Sequence, residues 1–430
     1  MINPEWRFWA PSGSIADGGP SQWYIHDLDQ RRIIVVTMDD EQEEESVAIQ
    51  HLRRHVDDLD PGVLEIHVSN EGDLISTSSS PDDDQTQAVN YPLLTHISKP
   101  ESVKTIHRRH LRELDRLGPE VDKVADTQAS LKNDNRSLVF KYSCVYESLF
   151  ARWDEINISM RLPANPNIVP FDRIVIEELQ GRHVVVGFTS HFIPGSTVFD
   201  NVSRVFKLSY LKQLTRVIDD LNLKYGISHQ DVAPRNILLD EAHGNLVIFD
   251  FNFATRIGCG PRHRFVQYRE DRNDVKGVIF TLYEIITRDG HFRKVDHAEQ
   301  NPDDVLNMET WAQHPDVKLD HPVADYRSAL GDWLRAREAG PKITIYTEAP
   351  EHLEWPDMGK PPQDYVVDLG DYPAGHPMLT PGWADQRSRA WKAGVDVVCW
   401  ERPSQNSIKQ GSYVLATGEV VEKPELASPS

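Results

Sequence analysis

The sequence predicts an α+β chain whose centre is bilobal, a strand-rich small lobe leading into a helical large lobe, with extensions at both ends. Three observations predict it. From about residue 112 to 337, short apolar runs with strand spacing alternate with longer runs of helical spacing. Beyond about residue 205 the helical spacing dominates, and on either side of the central stretch the composition changes.

The chain has 430 residues, 39% of them hydrophobic, enough for two or three domains and at least one substantial core. Its 46 basic and 67 acidic side chains leave a formal net charge of −21, a field that repels phosphate backbones and anionic lipid. Nucleic acid and membrane are therefore not expected as partners. The opening stretch, MINPEWRFWAPSGSIADGG, lacks the basic-then-apolar pattern of a secretion signal, and no stretch reaches the roughly 20 apolar residues of a membrane span. The expected place is intracellular, cytoplasmic or nuclear. Cys144, Cys259 and Cys399 are far apart and odd in number, which suits reduced thiols rather than a disulfide framework or a four-ligand zinc site. The 18 histidines show no HExxH-like spacing, so no structural metal is expected.

Residues 1–95 hold strand-like runs, Arg32-Ile33-Ile34-Val35-Val36 and Val63-Leu64-Glu65-Ile66-His67-Val68, separated by acidic DDEQEEES and polar STSSSPDDDQTQ. They read as a small accessory region and a linker, the acidic run being solvated surface. In KTIHRRHLREL, residues 104–114, Ile106, His110 and Leu114 fall on one face of a predicted short basic helix. Ser137–Lys141 reads as a strand, followed by a helix carrying Tyr146, Leu149, Phe150, Trp153 and Ile156 on one side. Strands are predicted at Phe171–Val175 and His183–Phe188, then a helix with Leu208, Leu211, Leu214, Val217 or Ile218, and Leu221 in phase, stopping at Gly226. After about residue 338 prolines and glycines mark an irregular extension over 338–430, with a hairpin predicted across Gly411–Val421.

Chemistry concentrates in GISHQDVAPRNILLDEAHGNLVIFDFNFATRIG, residues 226–258. His229-Gln230-Asp231-Val232-Ala233-Pro234-Arg235-Asn236 resembles the protein-kinase catalytic loop HRDLxxxN, and Asp250-Phe251-Asn252, 19 residues after Asp231, resembles DFG. The resemblance implies a protein-kinase-like fold, ATP and magnesium as cofactors, and a protein substrate or partner. It implies Asp231 as the group that accepts or orients the attacking hydroxyl's proton, and Asn236 and Asp250 as metal ligands. Hard carboxylate and amide oxygens suit magnesium, and phosphoryl transfer rests on positioning and charge neutralisation more than on covalent help.

Lys141 resembles the lysine of VAIK that grips ATP phosphates. Its expected partner is Glu155, which shares a helix face with Ala151, Ile158 and Leu162; Glu147 lies too close to the strand to reach back. Arg161–Val169 resembles the HPNIV segment. His191–Ser196 resembles the hinge, with Ser190 as gatekeeper and backbone groups from His191 to Ile193 facing adenine. Asp274–Thr287 resembles the DVWSxGVxLYELLT helix, whose leading Asp ties down the catalytic loop.

Several positions depart from the family pattern. In place of GxGxxG the chain offers only Gly118, beside Glu120 and Asp122, a poor cradle for phosphate. Gln230 replaces the arginine that binds an activation-loop phosphate, which implies activity without such phosphorylation. Asn252 replaces the DFG glycine, which stiffens a turn, although asparagine tolerates a left-handed backbone better than most residues do. Asp274 follows Asp250 by only 24 positions, with no APE string between them. Ala233 and Arg235 follow the tyrosine-kinase DLAARN pattern, and Arg235 is counted with the catalytic residues. The overall wording is similar to kinase-like proteins of filamentous fungi. Three readings stay open: a divergent protein kinase, a pseudokinase that binds or scaffolds, and a small-molecule kinase akin to aminoglycoside and choline kinases.

Overall fold

The computed structural model describes residues 2–130, 136–201, 203–260, 267–359, 365–367, 378–380 and 382–422. It is a mixed α/β structure with strand-rich sheets and several helices, and among the described residues the buried apolar side chains form three clusters.

The first cluster belongs to a five-stranded sheet. Strands β1 (Phe8–Ile15), β2 (Ser21–Asp27) and β3 (Arg32–Met38) form an antiparallel meander, helix α1 (Glu45–His55) crosses over, and β4 (Glu65–Val68) and β5 (Leu74–Ser78) complete the order β1-β2-β3-β4-β5. Because β4 runs parallel to β3, the connection needs the α1 crossover. Apolar Ile34 and Val36 alternate on one face of β3 and pack with Ile25, Leu52, Val56 and Ile66. Most of the acidic run is exposed, and Glu45 sits in the first turn of α1, where a negative charge is favoured.

After β6 (Gln87–Val89) comes a six-stranded sheet made of β7 (Lys104–His107), β8 (Leu111–Gly118), β9 (Val121–Asp126), β10 (Ser137–Tyr142), β11 (Phe171–Leu179) and β12 (Arg182–His191). Its order is β7-β11-β12-β10-β9-β8, with helix α2 (Thr127–Ser130) between β9 and β10 and helix α3 (Leu149–Arg161) between β10 and β11. The predicted helix at 104–114 is overturned: β7 pairs in parallel with β11, a single 3-10 turn covers Arg108–His110, and β8 follows. Ile106 and Leu111 are buried on the sheet while Leu114 is exposed, so the apolar spacing belongs to two short strands around a turn. The predicted strands at 137–141, 171–175 and 183–188 all lie within this sheet.

The third cluster is mostly helical. In chain order it holds β13 (Val205–Phe206), α4 (Leu208–Asp219), β14 (Ile227–Ser228), β15 (Ile237–Asp240), β16 (Asn245–Ile248), β17 (Thr255–Arg256), α5 (Asp274–Thr287), α6 (Asp303–Leu306), β18 (Lys318–Leu319) and α7 (Val323–Ala339). Leu211, Leu214, Val217 and Leu221 are buried in it, as the helical phase predicts. Helix α4 gives way to a π turn over Asp220–Lys224, and Gly226 turns the chain at φ +69°. Helix α5 is capped by the Asn273 side chain, which accepts from the Lys276 N–H at 3.0 Å.

Downstream, β19 (Tyr365–Val367) pairs with β20 (Met378–Thr380), β21 (Ala384–Gln386) pairs with β6, α8 (Arg387–Lys392) follows, and β22 (Ser412–Val414) pairs with β23 (Val420–Glu422). That last pair is the hairpin predicted across 411–421. Trp383, Val398, Trp400 and Ala416 from this region are buried with the core of the six-stranded sheet. Among the described residues no helix is long and apolar enough to cross a membrane, and all three cysteines are free thiols.

Candidate functional site

Two short hairpin strands set the loop that carries Asp231. The loop leaves β14 and enters β15, and β15 pairs with β16, Ile237 opposite Ile248, which brings Asn236 beside the end of the strand that delivers Asp250. The Phe249 N–H donates to the Asn236 carbonyl at 3.2 Å, fixing that adjacency. Asp274, the first residue of α5, accepts from the backbone N–H groups of His229 (2.8 Å) and Gln230 (2.7 Å) and from Asn222 Nδ2 (2.7 Å). The expected tie from Asp274 to the loop is therefore present. His229 Nε2 donates to the Phe249 carbonyl at 3.1 Å, and its ring packs on Phe251.

Within the loop, Asp231 Oδ2 accepts from Asn236 Nδ2 at 2.7 Å and Oδ1 accepts from Arg235 Nη2 at 2.5 Å. The Asp231 side chain is 5% exposed whereas Arg235 is half exposed.

From the six-stranded sheet, Lys141 Nζ reaches Glu155 Oε1 on α3 at 2.6 Å and Asp250 Oδ1 at 2.5 Å. Glu155 rather than Glu147 is thus the helix partner. Its other oxygen pairs with Arg152 Nη1, and its Oε1 also accepts from the Phe251 N–H at 3.2 Å. Every charge in this buried chain has a partner, which is what makes it tolerable at low exposure.

Burial acts to raise the Asp250 carboxyl, but the charge and hydrogen bond of Lys141, with Arg152 and His229, outweigh it and hold its pKa below the ordinary aspartate value. The side chain keeps about a quarter of its exposure, at 27%, and Lys141 engages only Oδ1. Asp250 itself takes the left-handed backbone, φ +68°, at the head of a 3-10 turn over Phe251–Phe253. The positive φ of this turn falls on Asp250, two residues before Asn252. Among the described residues neither Asp250 Oδ2 nor Asn236 Oδ1 accepts a hydrogen bond. These hard oxygens fit magnesium.

Gly118, Ser190, His191 and Ile193 complete the predicted positions. Gly118 ends β8, and a Cβ there would meet nothing within 4 Å, so nothing requires a glycine for close approach. The turn next to it is held by Glu120, whose buried carboxylate accepts from the N–H groups of Cys144 (2.5 Å) and Val145 (3.1 Å) and from Ser148 Oγ (2.9 Å). Ser190 is buried near the end of β12, opposite Val139. The His191 N–H donates to the Pro170 carbonyl at 2.9 Å and the Phe192 N–H to the Ser137 carbonyl at 3.2 Å; no described residue takes the Ile193 N–H.

Two residues of the site, Arg152 and Arg272, were not foreseen, and Gln230 was foreseen only for the arginine it replaces. Arg152, one helical turn before Glu155, is the second counter-charge, and its i,i+3 spacing was the available signal. Gln230 Nε2 donates to the carbonyls of Phe253 (2.8 Å) and Gln267 (3.1 Å), and its Oε1 accepts from the Arg269 N–H at 2.6 Å. Arg272 lies 3.9 Å from Asp231 Oδ1 with its guanidinium over the Phe253 ring, an approach no local pattern announces.

No protein-family model matches the chain. Among curated proteins, it is 31% identical over 157 residues to CBL-interacting serine/threonine-protein kinase 15 of Arabidopsis thaliana, covering 35% of this chain and 31% of that one. It is 34% identical over 106 residues to CBL-interacting serine/threonine-protein kinase 5 of the same plant, covering 23% and 22% respectively. CBL-interacting protein kinase 24 of Oryza sativa subsp. japonica is 33% identical over 117 residues, covering 25% and 24%. The chain spans less than a third of the length of these relatives, and the likeness supports a protein kinase-like relationship.

Proposed function

We propose that the centre of this chain, about residues 112–337, is a bilobal protein-kinase-like domain that transfers a phosphoryl group from magnesium-bound ATP to a protein hydroxyl, with residues 1–95 and 338–430 as accessory regions. The observation that carries the reading is the charge chain Glu155–Lys141–Asp250, which joins a sheet, a helix and the strand end next to the Asp231 loop. Bound ATP would supply the phosphoryl group, and magnesium would neutralise its oxygens. In this reading Lys141, held straight by Glu155, neutralises phosphate charge. Asp250 and Asn236 hold the metal with the oxygens that described residues leave unengaged. Asp231 receives the hydroxyl's proton, with Asn236 and Arg235 fixing its carboxylate. Ser190, His191 and Ile193 line the adenine side. An intracellular place, cytoplasmic or nuclear, is in keeping with three free thiols.

A second reading, nucleotide binding without turnover, is favoured by one feature: the turn beside Gly118 is fastened by Glu120 instead of presenting glycine amides to phosphate. The test is magnesium-dependent ATP binding and phosphate transfer to generic proteins and to aminoglycoside and choline acceptors by wild type, Asp231→Asn and Asp250→Asn. Transfer by wild type that both variants lose supports the kinase. Binding without transfer supports the second reading, and transfer only to small-molecule acceptors moves the chain to the aminoglycoside- and choline-kinase type.

A further inference from the structure

The stretch after α7 makes more of the site's surroundings than its proline-rich composition announces. At its start, the Tyr346 N–H donates to the Ile257 carbonyl at 2.8 Å, the Glu351 N–H to Lys224 at 2.9 Å and the Leu353 N–H to Tyr225 at 3.2 Å. Backbone lies so close that a Cβ on Gly258 would stand 2.1 Å from the Thr344 oxygen and one on Gly226 2.6 Å from that of Tyr346. Both glycines have positive φ, so each position is closed to other residues twice over. The Arg256 guanidinium lies over the rings of Tyr346 (5.0 Å) and Trp355 (4.5 Å). This end of the segment therefore grips the chain on both sides of the candidate site: the entry to the Asp231 loop and the exit from the Asp250 turn.

Its other end grips α3. Trp355 Nε1 donates to Asp154 Oδ1 at 2.7 Å, and Trp153 Nε1 donates to the Pro356 carbonyl at 3.0 Å. Two consecutive residues of the segment thus exchange hydrogen bonds with two consecutive residues of the helix, directly before Glu155. Trp355, Trp153 and Asp154 are all at most 5% exposed. Trp355 is buried with the helical cluster and Met358, three residues on, with the six-stranded sheet.

We infer that residues 344–358 are an internal strap that sets the position of α3, with Trp355 and Asp154 as positioning residues that keep Glu155 on Lys141. The consequence for phosphoryl transfer rests on the kinase-like reading above; the mechanical statement about α3 does not. Helix α3 continues a 3-10 turn over Tyr146–Ser148 that Glu120 holds at its start, and the strap takes hold of it one turn further on, at Trp153 and Asp154. The strap ties it to the same β17 strand and loop entry that carry the other half of the site, so helix and loop keep one spacing without an outside partner.

The test uses the full chain as wild type, Trp355→Phe, Asp154→Ala and Asp154→Asn, with hydrogen exchange followed by mass spectrometry and magnesium-ATP affinity measured on each. Trp355→Phe keeps a ring under Arg256 but loses the donor; Asp154→Asn keeps an acceptor oxygen, which Asp154→Ala lacks. Amides of 149–161 are expected to exchange about tenfold faster in Trp355→Phe and Asp154→Ala, with those of 208–219 unchanged and Asp154→Asn close to wild type. Nucleotide affinity should fall about fivefold in the same two variants. The strap is overturned if 149–161 exchanges as in wild type or if every helix loosens equally, and its consequence for the site is overturned if α3 loosens with affinity unchanged. A wild type that binds no nucleotide sinks the phosphotransfer reading alone, and the exchange comparison then still decides the strap.

Discussion

Lys141 and Glu155 meet at 2.6 Å across the gap between a strand and a helix, and the Glu155 side chain is 2% exposed. Removing a partner from a buried pair costs about 3–5 kcal/mol, chiefly because the charge left behind is desolvated. In Lys141→Met, Glu155 keeps Arg152, while Asp250 loses its nearest cation, so the lower end, about 3 kcal/mol, is expected. Lys141→Arg keeps a charge and should recover part of it. Urea midpoints of the three proteins check the order wild type, Arg, Met, and nucleotide binding should be lost in Met.

Asp320 gives the pH prediction. Its carboxylate accepts from the Leu208 N–H at 2.8 Å and from the Tyr326 hydroxyl at 2.7 Å, and pairs with His321 at 2.9 Å, so it caps α4 from across the helical cluster. Slight burial acts to raise its pKa, but the bonds from His321, Tyr326 and Leu208 lower it from 3.8 to about 2. A depressed carboxylate stabilises fully above its unfolded pKa and loses that contribution as pH falls through the folded one. The contribution of Asp320 should thus be whole above about pH 4 and fade towards pH 2. Asp320→Ala should cost about 1 kcal/mol near neutrality, the worth of a helix cap, and less as the window is entered. Unfolding midpoints at pH 6, 4 and 3 check this; a constant difference from wild type would contradict it.

What could be read beforehand divides by sequence distance. The bonds within the Asp231 loop and the approach of Asn236 to Asp250 follow from spacings inside one 33-residue stretch, where strand pairing fixes who faces whom. Glu155 was legible because a strand end and a helix phase leave only one glutamate able to turn back. The error at 104–114 arose because apolar residues four apart fit a helix face and also two strands around a turn; pairing with β11, 69 residues later, decided it. The bond from Trp355 to Asp154 crosses 201 residues and leaves no periodic trace in a stretch of prolines and glycines. Glu120 was noted for its charge beside Gly118, and its use as a clasp on the β10–α3 connection needed the fold.

Gln230 fastens the loop of Asp231 to both ends of the Asp250–Asp274 segment through three hydrogen bonds, to Phe253, Gln267 and Arg269. A neutral amide thereby performs a tie that a phosphate-dependent arginine would make only after modification. At about 1 kcal/mol each, allowing for water replacing part of them, Gln230→Ala should ease opening at 267–269 by about 2 kcal/mol, or roughly 30-fold in exchange. Hydrogen exchange there, against α5 as the internal control, measures it. Phosphatase treatment of the wild type should change neither exchange nor any transfer activity.

Trp400 ties the downstream region to the strand that presents Lys141. Its ring stacks on Tyr142, the residue after Lys141, with centroids 4.7 Å apart and planes 16° from parallel, and its Nε1 donates to the Tyr91 hydroxyl at 2.7 Å. Arg108 lies over the same ring at 4.6 Å, and Arg402, two residues on, bonds Glu113 of β8 at 2.7 Å. Trp400→Ala would leave a large cavity under β10 and should cost about 3–5 kcal/mol. Trp400→Phe keeps most of the stacking but gives up the hydrogen bond, so about 1–2 kcal/mol is expected. Thermal midpoints should fall in the order wild type, Phe, Ala, and proteolysis at low protease should reach the six-stranded sheet of the Ala variant first. If both substitutions were neutral, the stacking would be incidental and the 398–416 stretch would be dispensable for holding Lys141 in place.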